Sequence, residues 1–487
     1  MCPIETRHLV LVLSNLLFCI LLFASSLFVS LVIYHGLGYT AYASQVSSSS
    51  NNLGGDDNSN DNDNINDRPY AAKRQSPEPV INDPKLKLEV VGEGLQLPTQ
   101  MAFLGQGDIL VLEKDSGIVK RILNGTVLSE PVLDVNVATA FERGLLGIAV
   151  AKSDNKTTQG NHSIVYLYYT ESQHDGNDKC FDSTKCSEKN QPLGNRLYKY
   201  KLVDDKLINP KLLLDLPASP GSSHNGGSLS IGPDDNVYLT IGEVSYRDGQ
   251  ISNNDKGPPP DGRGGILRVT QQGKTIDTSD GNDEVIKADA ILGTKDPLNK
   301  YYAYGIRNSF GIDFDPLTGK LWDTENGPGF GDEINLVEPG FNSGWAKVQG
   351  IWERENYFGG PVAPNKPDNL VDFDGRGKYS PPEFTWNQTV GVTSIKFLDS
   401  DKLGKDYQND VFVGDVSNGN LYHFNLNEER NQLLLDGLLQ DRVANNYDEL
   451  QKVILAHGFN GITDIEVGPD GYLYVLSLAG SIFRITS

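Results

Sequence analysis

Three residues of the chain have types and positions that suit acid-base chemistry. His224 lies in "SSHNGGSLSIGPDDNVYLTIGE", residues 222–243, which ends in Glu243, and Arg307 lies in the similar stretch "IRNSFGIDFDP". A neutral imidazole is a suitable general base near pH 7, a carboxylate can orient it, and a guanidinium can stabilise negative charge that develops on an oxygen. We therefore expect a base, its supporting acid and a fixed cation; the alternative is a satisfied polar lining of a channel.

One sequence motif, repeated six times from about residue 86 onward, determines where these residues lie. Its last copy, "GITDIEVGPDGYLYVLSLAGSIFRIT", reads as strand, tight turn, strand, glycine turn, strand. Each copy is one antiparallel sheet, and repetition of such sheets is typical of a β-propeller. The sequence predicts an all-β fold, a six-bladed β-propeller over residues 86–487, with segment 85–94 as the outer strand that closes the last blade. A β-sandwich is the alternative, which the self-similarity disfavours.

The repeat also aligns polar residues that are far apart in the chain. His224, Arg307 and Asn460 each lie nine residues before the proline of their turn, and Arg143, next to Glu142, occupies the matching position in another copy. The first strand of a propeller blade lines the central channel, so these positions are expected around one rim. The glycines after His224 are interpreted as leaving space for a flat ligand. Long loops are expected between copies, at residues 172–194, 247–263, 273–300 and 346–382.

A second stretch, "TENGPGFGDEINLVEPGFNSGW" at residues 324–345, is rich in oxygen ligands. Asn326, Gly327 and Pro328 place backbone carbonyls in an irregular loop, and Asp332 and Glu333 follow closely. Clusters of hard oxygen ligands suit calcium. The alternative is a loop that is held by hydrogen bonds from side chains to the backbone.

The N-terminal part of the chain predicts an extracytoplasmic protein. Residues 9–33 contain no charged side chain and are long enough to span a bilayer, so residues 1–43 are expected to be a membrane anchor or a signal cleaved near Ala43. Residues 44–85 contain the Ser-, Asn- and Asp-rich run of a disordered linker. Cys180 and Cys186 are close enough for a small-loop disulfide in an oxidising space. The net charge of -22 argues against a nucleic-acid partner.

Taken together, these motifs resemble the soluble glucose dehydrogenase and aldose sugar dehydrogenase family, also called glucose/sorbosone dehydrogenases. The resemblance covers nearly all of residues 86–487 and is carried by "GLLGIAV", "HNGGSLSIGPDDNVYLTIGE", "AYGIRNSFGIDFDP", "ENGPGFGDEINLVEPGFNSGW" and "VGPDGYLYVLS". It implies a six-bladed propeller that uses pyrroloquinoline quinone (PQQ) and calcium to oxidise the anomeric hydroxyl of an aldose to a lactone. Electrons would pass from the quinone to an external acceptor.

The resemblance also implies catalytic roles. His224 matches the base that takes the proton of the anomeric hydroxyl, and Glu243 stands where the family usually has an aspartate that supports this histidine. Arg307 and Asn308 match a pair that contacts the quinone and substrate oxygens. Glu142 occupies a position where a glutamine often contacts the cofactor.

The remaining implied residues concern the cofactor and metal. Gly327 and Pro328 match carbonyls that hold the calcium polarising the cofactor, and Glu333 matches a ligand of a second, structural calcium. Asn326 and Asn460 complete the candidate cofactor-binding residues.

The chain departs from the family where a lysine and two arginines bind the carboxylates of PQQ. Asn418, Gly461 and Thr463 stand at or near those positions. The absence of each such charge-assisted hydrogen bond would weaken PQQ binding by about 1.5–3 kcal/mol. A non-redox propeller that binds a glycan or a small ligand is therefore a second hypothesis, and a calcium-dependent hydrolase, for example of lactones, is a third. Whether Lys452 or another basic residue replaces the missing cations is left open by the sequence.

Overall fold

A computed structural model of the chain describes residues 78–151, 163–174, 191–276, 291–354 and 369–487, and the backbone of residues 361–364. The predicted membrane segment, the cleavage site near Ala43 and the Cys180–Cys186 pair lie outside these residues. Within the described ranges no helix has the length and apolar character needed to cross a membrane.

The described residues form β-strands joined by turns and a few short 3-10 helices. The strands of the first part are β1 (Val80–Ile81), β2 (Lys87–Gly92), β3 (Pro98–Gly105), β4 (Asp108–Glu113), β5 (Ile118–Leu123), β6 (Thr126–Val127), β7 (Leu133–Asp134), β8 (Leu145–Ala151), β9 (Ile164–Glu171), β10 (Gly194–Val203) and β11 (Lys206–Leu216). The middle part contains β12 (Leu229–Ile231), β13 (Val237–Ile241), β14 (Gly265–Val269), β15 (Tyr301–Tyr304), β16 (Ser309–Phe314), β17 (Leu321–Glu325), β18 (Asp332–Val337), β19 (Phe341–Asn342), β20 (Val348–Gln349), β21 (Trp352–Arg354) and β22 (Pro361–Pro364). The last part contains β23 (Lys378–Tyr379), β24 (Phe384–Trp386), β25 (Val392–Phe397), β26 (Val411–Asp415), β27 (Leu421–Phe424), β28 (Val443–Ala444), β29 (Ile454–His457), β30 (Ile462–Val467), β31 (Leu473–Ser477) and β32 (Ile482–Thr486). The 3-10 helices are Gln250–Ser252, Leu298–Lys300, Gly437–Leu439 and Glu449–Lys452.

The strands pair mostly with their sequence neighbours, in antiparallel sheets. The orders are β3-β4-β5-β6 with β7 on β5, β11-β10-β9-β8, β12-β13-β14-β15-β19-β23, β16-β17-β18-β24-β28, β1-β29-β27-β26-β25 and β2-β32-β31-β30. A separate three-stranded sheet has the order β20-β21-β22. The first strand of each copy of the sequence motif lines a central channel of about 290 Å³, to which β3, β8, β12, β16, β25 and β30 contribute. This arrangement confirms the prediction of an all-β propeller.

The N-terminal strand β2 closes the last sheet of the chain, as the sequence predicted. It pairs antiparallel with β32, so that Lys87 lies opposite Thr486 and Leu88 lies opposite Ile485. This pairing joins the two ends of the folded region by main-chain hydrogen bonds.

The same hydrogen bond stabilises the Gly-Pro-Asp turn in two copies of the sequence motif. Asp234 accepts a hydrogen bond from the hydroxyl of Tyr238 at 3.0 Å, and Asp470 accepts the same bond from Tyr474 at 2.9 Å. In each case the aspartate ties the turn to the strand that follows it. The side-chain bond favours the turn over continued pairing, which is why aspartate recurs at this place in the motif.

Aromatic side chains pack the sheet of β16 against the sheet of β25. The ring of Phe384 lies 4.7 Å from Trp386 and 5.1 Å from Phe424, and Trp386 lies 5.4 Å from Tyr422, as measured between ring centres. All four side chains are buried. Tilted and edge-on aromatic pairs of this kind contribute about 0.5–1.5 kcal/mol each beyond their buried area.

Two sequence predictions about the organisation of the chain need correction. The linker was expected to reach residue 85, but Val80 and Ile81 already pair with His457 and Ala456. Residues 346–382 were expected to be a loop, yet they contain β20, β21, β22 and β23. Short strands that belong to no sequence repeat give no periodic signal from which they could be predicted.

Candidate active site

The centre of the candidate site is a buried pair formed by His224 and Glu243. The imidazole Nδ1 lies 2.5 Å from Oε1 of Glu243. His224 is 7% exposed and Glu243 is 0% exposed. The second oxygen, Oε2, is buried without a hydrogen-bond donor among the described residues. The contact inferred from the sequence is therefore present, and it fixes the ring with Nε2 as the nitrogen left to act on a ligand.

The backbone holds His224 in a conformation that its sequence alone does not favour. Its φ angle is +64°, in the left-handed region, which costs about 1 kcal/mol or more for a residue with a side chain. Its N–H donates to Oε2 of Glu142 at 2.6 Å, and its carbonyl accepts from the N–H of Val244 at 3.2 Å. A Cβ atom on Gly242 would lie 2.4 Å from the His224 carbonyl oxygen, so only glycine allows this approach.

The glycines after His224 serve packing rather than ligand space. A Cβ atom on Gly226 would lie 2.6 Å from the carbonyl oxygen of Thr240, and one on Gly227 would lie 2.7 Å from Cβ of Leu146. Both residues have positive φ angles. They let β12 approach its neighbours, which corrects the interpretation of these glycines as a clearing for a flat ligand.

Burial sets the protonation of the pair. Removal from water, with the positive charge of Arg307 nearby, lowers the pKa of His224 to about 3, so the imidazole is neutral at neutral pH. Burial raises the pKa of Glu243 to about 7, against the opposing effect of the arginines around it. A neutral imidazole that donates through Nδ1 to an ionised Glu243 is a general base, and a positive charge formed on it would be stabilised by that carboxylate.

Arg307 and Asn308 bring the neighbouring sheet to the pair. The N–H of Glu243 donates to the carbonyl of Arg307 at 2.9 Å, and the guanidinium of Arg307 donates to the carbonyl of Asn326 at 2.8 Å. Asn308 donates through Nδ2 to Oε2 of Glu142 at 3.0 Å. Glu142 is thus hydrogen-bonded to both Asn308 and the backbone of His224.

The loop at Asn326, Gly327 and Pro328 is held by one aspartate. Asp332 is fully buried and accepts hydrogen bonds from the N–H groups of Gly327, Val390 and Gly391, at 2.8, 2.8 and 2.7 Å. Burial raises the pKa of this carboxyl group, and the three N–H groups oppose that effect. Asp332 therefore shapes the loop, which agrees with the alternative interpretation of this stretch without excluding a cation at the carbonyls.

Glu333 lies in the interior, beside the carboxyl groups of Glu325 and Asp323. Its oxygens accept hydrogen bonds from the N–H of Gly350 at 2.5 Å and from Nε2 of Gln349 at 3.0 Å. Ser343 lies between Glu333 and Glu325, at 3.3 Å and 2.5 Å from their oxygens. Burial raises the pKa of Glu333 to about 8 and that of Glu325 well above its ordinary range. In the described part of the chain no three His, Cys, Asp or Glu side chains are arranged to hold a metal ion.

Two aligned rim positions do not join this centre. Asn460 is exposed and shares the left-handed backbone of His224, with φ at +58°, but no hydrogen bond of the described residues links its side chain to the His224–Glu243 pair. Arg143 is 0% exposed and donates to the carbonyls of Ala218 and Gly221, at 2.6 and 2.9 Å. The repeat therefore predicts the backbone position correctly but not the direction of these side chains.

The positions at which the family has basic residues contain no cation in this chain, and the nearby Lys452 does not replace one. Asn418 is exposed, and its N–H donates to Asp415 at 2.6 Å. Gly461 has φ at +89°, where an arginine would be strained. Lys452 forms an ion pair with Asp436 at 2.9 Å and its side chain is 68% exposed. Lys452 is thus engaged at the surface and does not substitute for the absent residues.

Sequence reasoning missed four residues near the pair. Glu325 accepts a hydrogen bond from the N–H of Arg307 at 2.7 Å. Trp345 is fully buried and lies under two guanidinium groups, those of Arg307 and Arg354. Arg247 acts electrostatically on both His224 and Glu243. The spacing of four residues between Glu243 and Arg247 gave no signal, because residues 242–247 contain no helix on which the two side chains would share a face.

Two carboxyl groups of β30 line the channel. Asp464 and Glu466 line it together with Lys396. The ammonium group of Lys396 lies 2.9 Å from Glu466 and 3.4 Å from Asp313, and Asp464 accepts a hydrogen bond from the N–H of Met101 at 2.8 Å. These contacts engage the carboxylates with the channel wall, whereas a hydrolase would need them directed at a substrate.

The segment that carries this site matches a known protein family. Residues 95–484 match the family described as Glucose / Sorbosone dehydrogenase. The chain belongs to the glucose/sorbosone dehydrogenase family. As a member of this family it is a dehydrogenase-type oxidoreductase, and the resemblance found in the sequence is confirmed.

Individual members of the family support this assignment. The chain is 25% identical to aldose sugar dehydrogenase YliI of Escherichia coli over 409 residues, covering 82% of this chain and 93% of that protein. It is 32% identical to quinoprotein glucose dehydrogenase B of Acinetobacter calcoaceticus over 265 residues, covering 52% of this chain and 48% of that protein.

Solved structures share the fold. The apo form of the soluble aldose sugar dehydrogenase of Escherichia coli covers 82% of this chain and 99% of its own, with 25% identity and a TM-score of 0.59. The PQQ-bound aldose sugar dehydrogenase of Streptomyces coelicolor covers 82% of this chain and 98% of its own, with 20% identity and a TM-score of 0.55.

The donors and acceptors at the site suit one anionic or quinone oxygen and a nearby cation. The buried Nε of Arg307 has no hydrogen-bond acceptor among the described residues. A guanidinium N–H of this kind is a suitable donor to a carboxylate or a quinone oxygen. Gly327 is half-buried and Pro328 is exposed, and the carbonyl oxygens of a Gly-Pro turn suit calcium.

Proposed function

We propose that the protein is a PQQ- and calcium-dependent dehydrogenase that oxidises the anomeric hydroxyl of an aldose sugar to a lactone. The observation that carries this proposal is the 2.5 Å contact between Nδ1 of His224 and Glu243. That contact, in a buried setting beside Arg307, prepares Nε2 to accept a proton. Family membership and the names of the relatives above support the choice of an aldose as substrate.

The residues of this chain act on the proton and the oxygen of the substrate. His224 takes the proton of the anomeric hydroxyl at Nε2 while the C1–H bond releases its hydrogen as hydride. Glu243 stabilises the positive imidazolium that results. The guanidinium of Arg307 would stabilise the negative charge that develops on the sugar oxygen. Bound PQQ supplies the two-electron acceptor for the hydride, so that the sugar loses two electrons and one proton goes to His224.

Other residues hold the cofactor and the metal in this proposal. Asn308, Asn326 and Glu142 lie against Arg307 or His224 and would contact the cofactor. The carbonyls of Gly327 and Pro328 would hold the calcium beside it, in the loop shaped by Asp332. Glu333 and Asn460 are secondary positions, Glu333 for a structural cation in the interior and Asn460 at the rim.

The propeller in this proposal has six blades. The sheets that begin with β3, β8, β12, β16, β25 and β30 each place one strand on the channel, and β2 completes the sheet of β30.

We also propose that residues 9–33 anchor the chain, or direct its secretion, with the propeller outside the cytoplasm. An external acceptor would then receive the electrons. Retention of the full-length chain in washed membranes tests the anchor, and its release into the soluble fraction contradicts it.

A PQQ titration of the purified full-length chain in calcium tests the proposed function. We expect saturable PQQ binding and aldose-dependent reduction of a dye, and we expect His224→Ala to abolish turnover without unfolding the propeller. The absence of Lys or Arg at Asn418, Gly461 and Thr463 favours a second candidate, a non-redox glycan-binding propeller. Sugar binding without PQQ, with no spectral change on PQQ addition, would establish that alternative instead.

A further inference from the structure

The peptide that follows the candidate base is held by a buried tyrosine of the neighbouring sheet. The hydroxyl of Tyr168, on β9, donates to the carbonyl of Asn225 at 2.9 Å. Tyr168 and Asn225 are both 0% exposed, so this bond forms away from bulk water. Because Asn225 follows His224 directly in the chain, the hydroxyl acts on the backbone one residue from the imidazole.

The side chain of Asn225 is fixed by the same sheet. Its Nδ2 donates to the carbonyl of Ser222 at 2.8 Å, and its Oδ1 accepts from Nδ2 of Asn195 at 3.1 Å. Asn195, on β10, also donates to the carbonyl of Pro217 at 3.0 Å and accepts from the hydroxyl of Thr170 at 2.6 Å. Thr170 lies directly opposite Asn195 in the sheet. Both residues are 0% exposed, so the chain of hydrogen bonds from Thr170 to Asn225 lies inside the protein.

A close approach of two sheets makes these contacts possible. A Cβ atom on Gly147, on β8, would lie 2.0 Å from the carbonyl oxygen of Gly227, so only glycine lets β8 pass the loop after His224. A Cβ atom on Gly227 would lie 3.5 Å from the ring of Tyr168, which is ordinary van der Waals contact. The glycines thus bring the sheet of β8 to β11 within hydrogen-bonding distance of the base.

The members of this buried chain depend on one another. Asn195 and Asn225 use both the oxygen and the nitrogen of their amide groups, so each bond fixes the orientation of the next group. The backbone that they hold has an unfavourable conformation, since His224 has φ at +64°. A residue with a side chain stays in this region only where its surroundings determine the conformation. The buried chain of hydrogen bonds is one part of those surroundings.

We infer that Tyr168, Thr170, Asn195 and Asn225 are positioning residues, which hold the backbone of His224 so that its imidazole meets Glu243. The inference rests on the proposed function for the role of His224 as a base. It adds side chains of another sheet that are 0% exposed and therefore touch neither the sugar nor the cofactor. Loss of one member should disturb the base without removing it.

Two equivalent substitutions on one strand test this role. Tyr168→Phe removes the hydroxyl that binds Asn225. Tyr166→Phe is the matched control, because Tyr166 is also 0% exposed on β9, but its hydroxyl contacts Gln271, at 3.2 and 3.3 Å. Tyr168→Phe is expected to lower the kcat of aldose-dependent dye reduction about five- to tenfold, the equivalent of one hydrogen bond, and to change KM less than about twofold. Tyr166→Phe is expected to leave both constants unchanged.

A second measurement does not depend on turnover. The proton between Nδ1 of His224 and Oε1 of Glu243 lies in a short contact of 2.5 Å, and short charge-assisted hydrogen bonds give proton NMR signals far downfield. In the full-length chain with isotope-labelled histidine, the signal that is absent from His224→Ala identifies this proton. We expect Tyr168→Phe to shift this signal and Tyr166→Phe to leave it in place.

Thr170 provides a second pair of variants, which replaces the first pair if Tyr168→Phe does not fold. Thr170→Val removes the hydroxyl and leaves Oδ1 of Asn195 without this donor, so it should lower kcat and shift the signal. Thr170→Ser keeps the hydroxyl and should retain the wild-type values. Thermal unfolding of each variant shows whether the chain is folded under the conditions of the assay.

Two results would overturn the inference. The first is wild-type kcat with an unchanged NMR signal in both Tyr168→Phe and Thr170→Val. The second is an equal loss in Tyr166→Phe, which would indicate only a weaker sheet. If the wild-type chain has no turnover, the proposed function fails, whereas a signal that shifts in Tyr168→Phe and not in Tyr166→Phe still supports the positioning role.

Discussion

Replacement of Glu243 by glutamine separates the chemistry of the site from its folding. Glutamine keeps the length of the side chain and an oxygen that can accept a hydrogen bond from Nδ1 of His224, which lies 2.5 Å from the native carboxylate. It removes the negative charge that stabilises the imidazolium formed when His224 accepts a proton. Glu243→Gln should therefore leave sugar binding nearly intact and slow the step in which the proton is transferred.

The size of the effect follows from the charges around His224. A hydrogen bond to a charged group contributes about 1.5–3 kcal/mol, which corresponds to a roughly 10- to 150-fold change in rate. Arg307 and Arg247 both oppose a positive charge on His224, so the carboxylate offsets two unfavourable neighbours. We therefore expect a loss in kcat/KM near the upper end of this range, about 100-fold.

Glu243→Gln is expected to lower activity without lowering stability at alkaline pH. Burial raises the pKa of Glu243 to about 7 in the folded chain, above its ordinary value of 4.5. The stabilising effect of the protonated group is complete below its unfolded pKa and is lost as the pH rises through 7, at a cost on the order of 3 kcal/mol for this buried group. At pH 8 Glu243→Gln should thus unfold at a temperature no lower than the wild type.

The assay is dye reduction by the PQQ-loaded chain with an aldose, over pH 5 to 9. The kcat/KM of the wild type should rise with pH through about 7, because the ionised carboxylate is the active form, and Glu243→Gln should lack this rise. Glu243→Asp, which restores the charge on a shorter side chain, should recover part of the rate. A Glu243→Gln variant with wild-type kcat/KM and the wild-type pH profile would refute the role assigned to the carboxylate.

Three further expectations follow from single positions. Gly242→Ala should lower both the unfolding temperature and kcat, because its Cβ would lie 2.4 Å from the His224 carbonyl oxygen, at a cost of about 1–3 kcal/mol. An unchanged melting curve would contradict this. Lys452→Ala should change PQQ affinity less than about twofold, since Lys452 is 68% exposed and paired with Asp436. A large loss of affinity in the PQQ titration would show that Lys452 takes part in binding. Burial raises the pKa of Glu333 to about 8, so the calcium-free chain should lose stability as the pH rises through 8. Calcium should restore the melting temperature in the wild type but not in Glu333→Gln.

The sequence predicted the parts of the site that the repeat constrains. His224 and Arg307 could be placed at one rim because they precede equivalent turns, and Glu243 could be placed beside His224 because adjacent antiparallel strands bring their facing ends together. The same alignment placed Asn460 at an equivalent backbone position. A repeat predicts the backbone position of a residue, but it does not predict the direction of its side chain. The glycines were misjudged for a related reason, since a sequence does not reveal which atoms approach a missing Cβ.

Residues outside the repeat could not be predicted in this way. Trp345 and Arg354 belong to a segment between β18 and β24, in which β20, β21 and β22 form a sheet of their own. Short strands of two to four residues produce no measurable alternation of apolar and polar side chains. Their side chains reach the site through tertiary contacts, which only the structure reveals.

The division between these two groups of residues has a consequence for how the site can vary. His224 and Arg307 precede the channel strands β12 and β16, and Glu243 follows β13. Close backbone contacts such as that of Gly242 restrict substitution there. Arg354, in contrast, lies on β21, in a separate sheet that contains no channel strand.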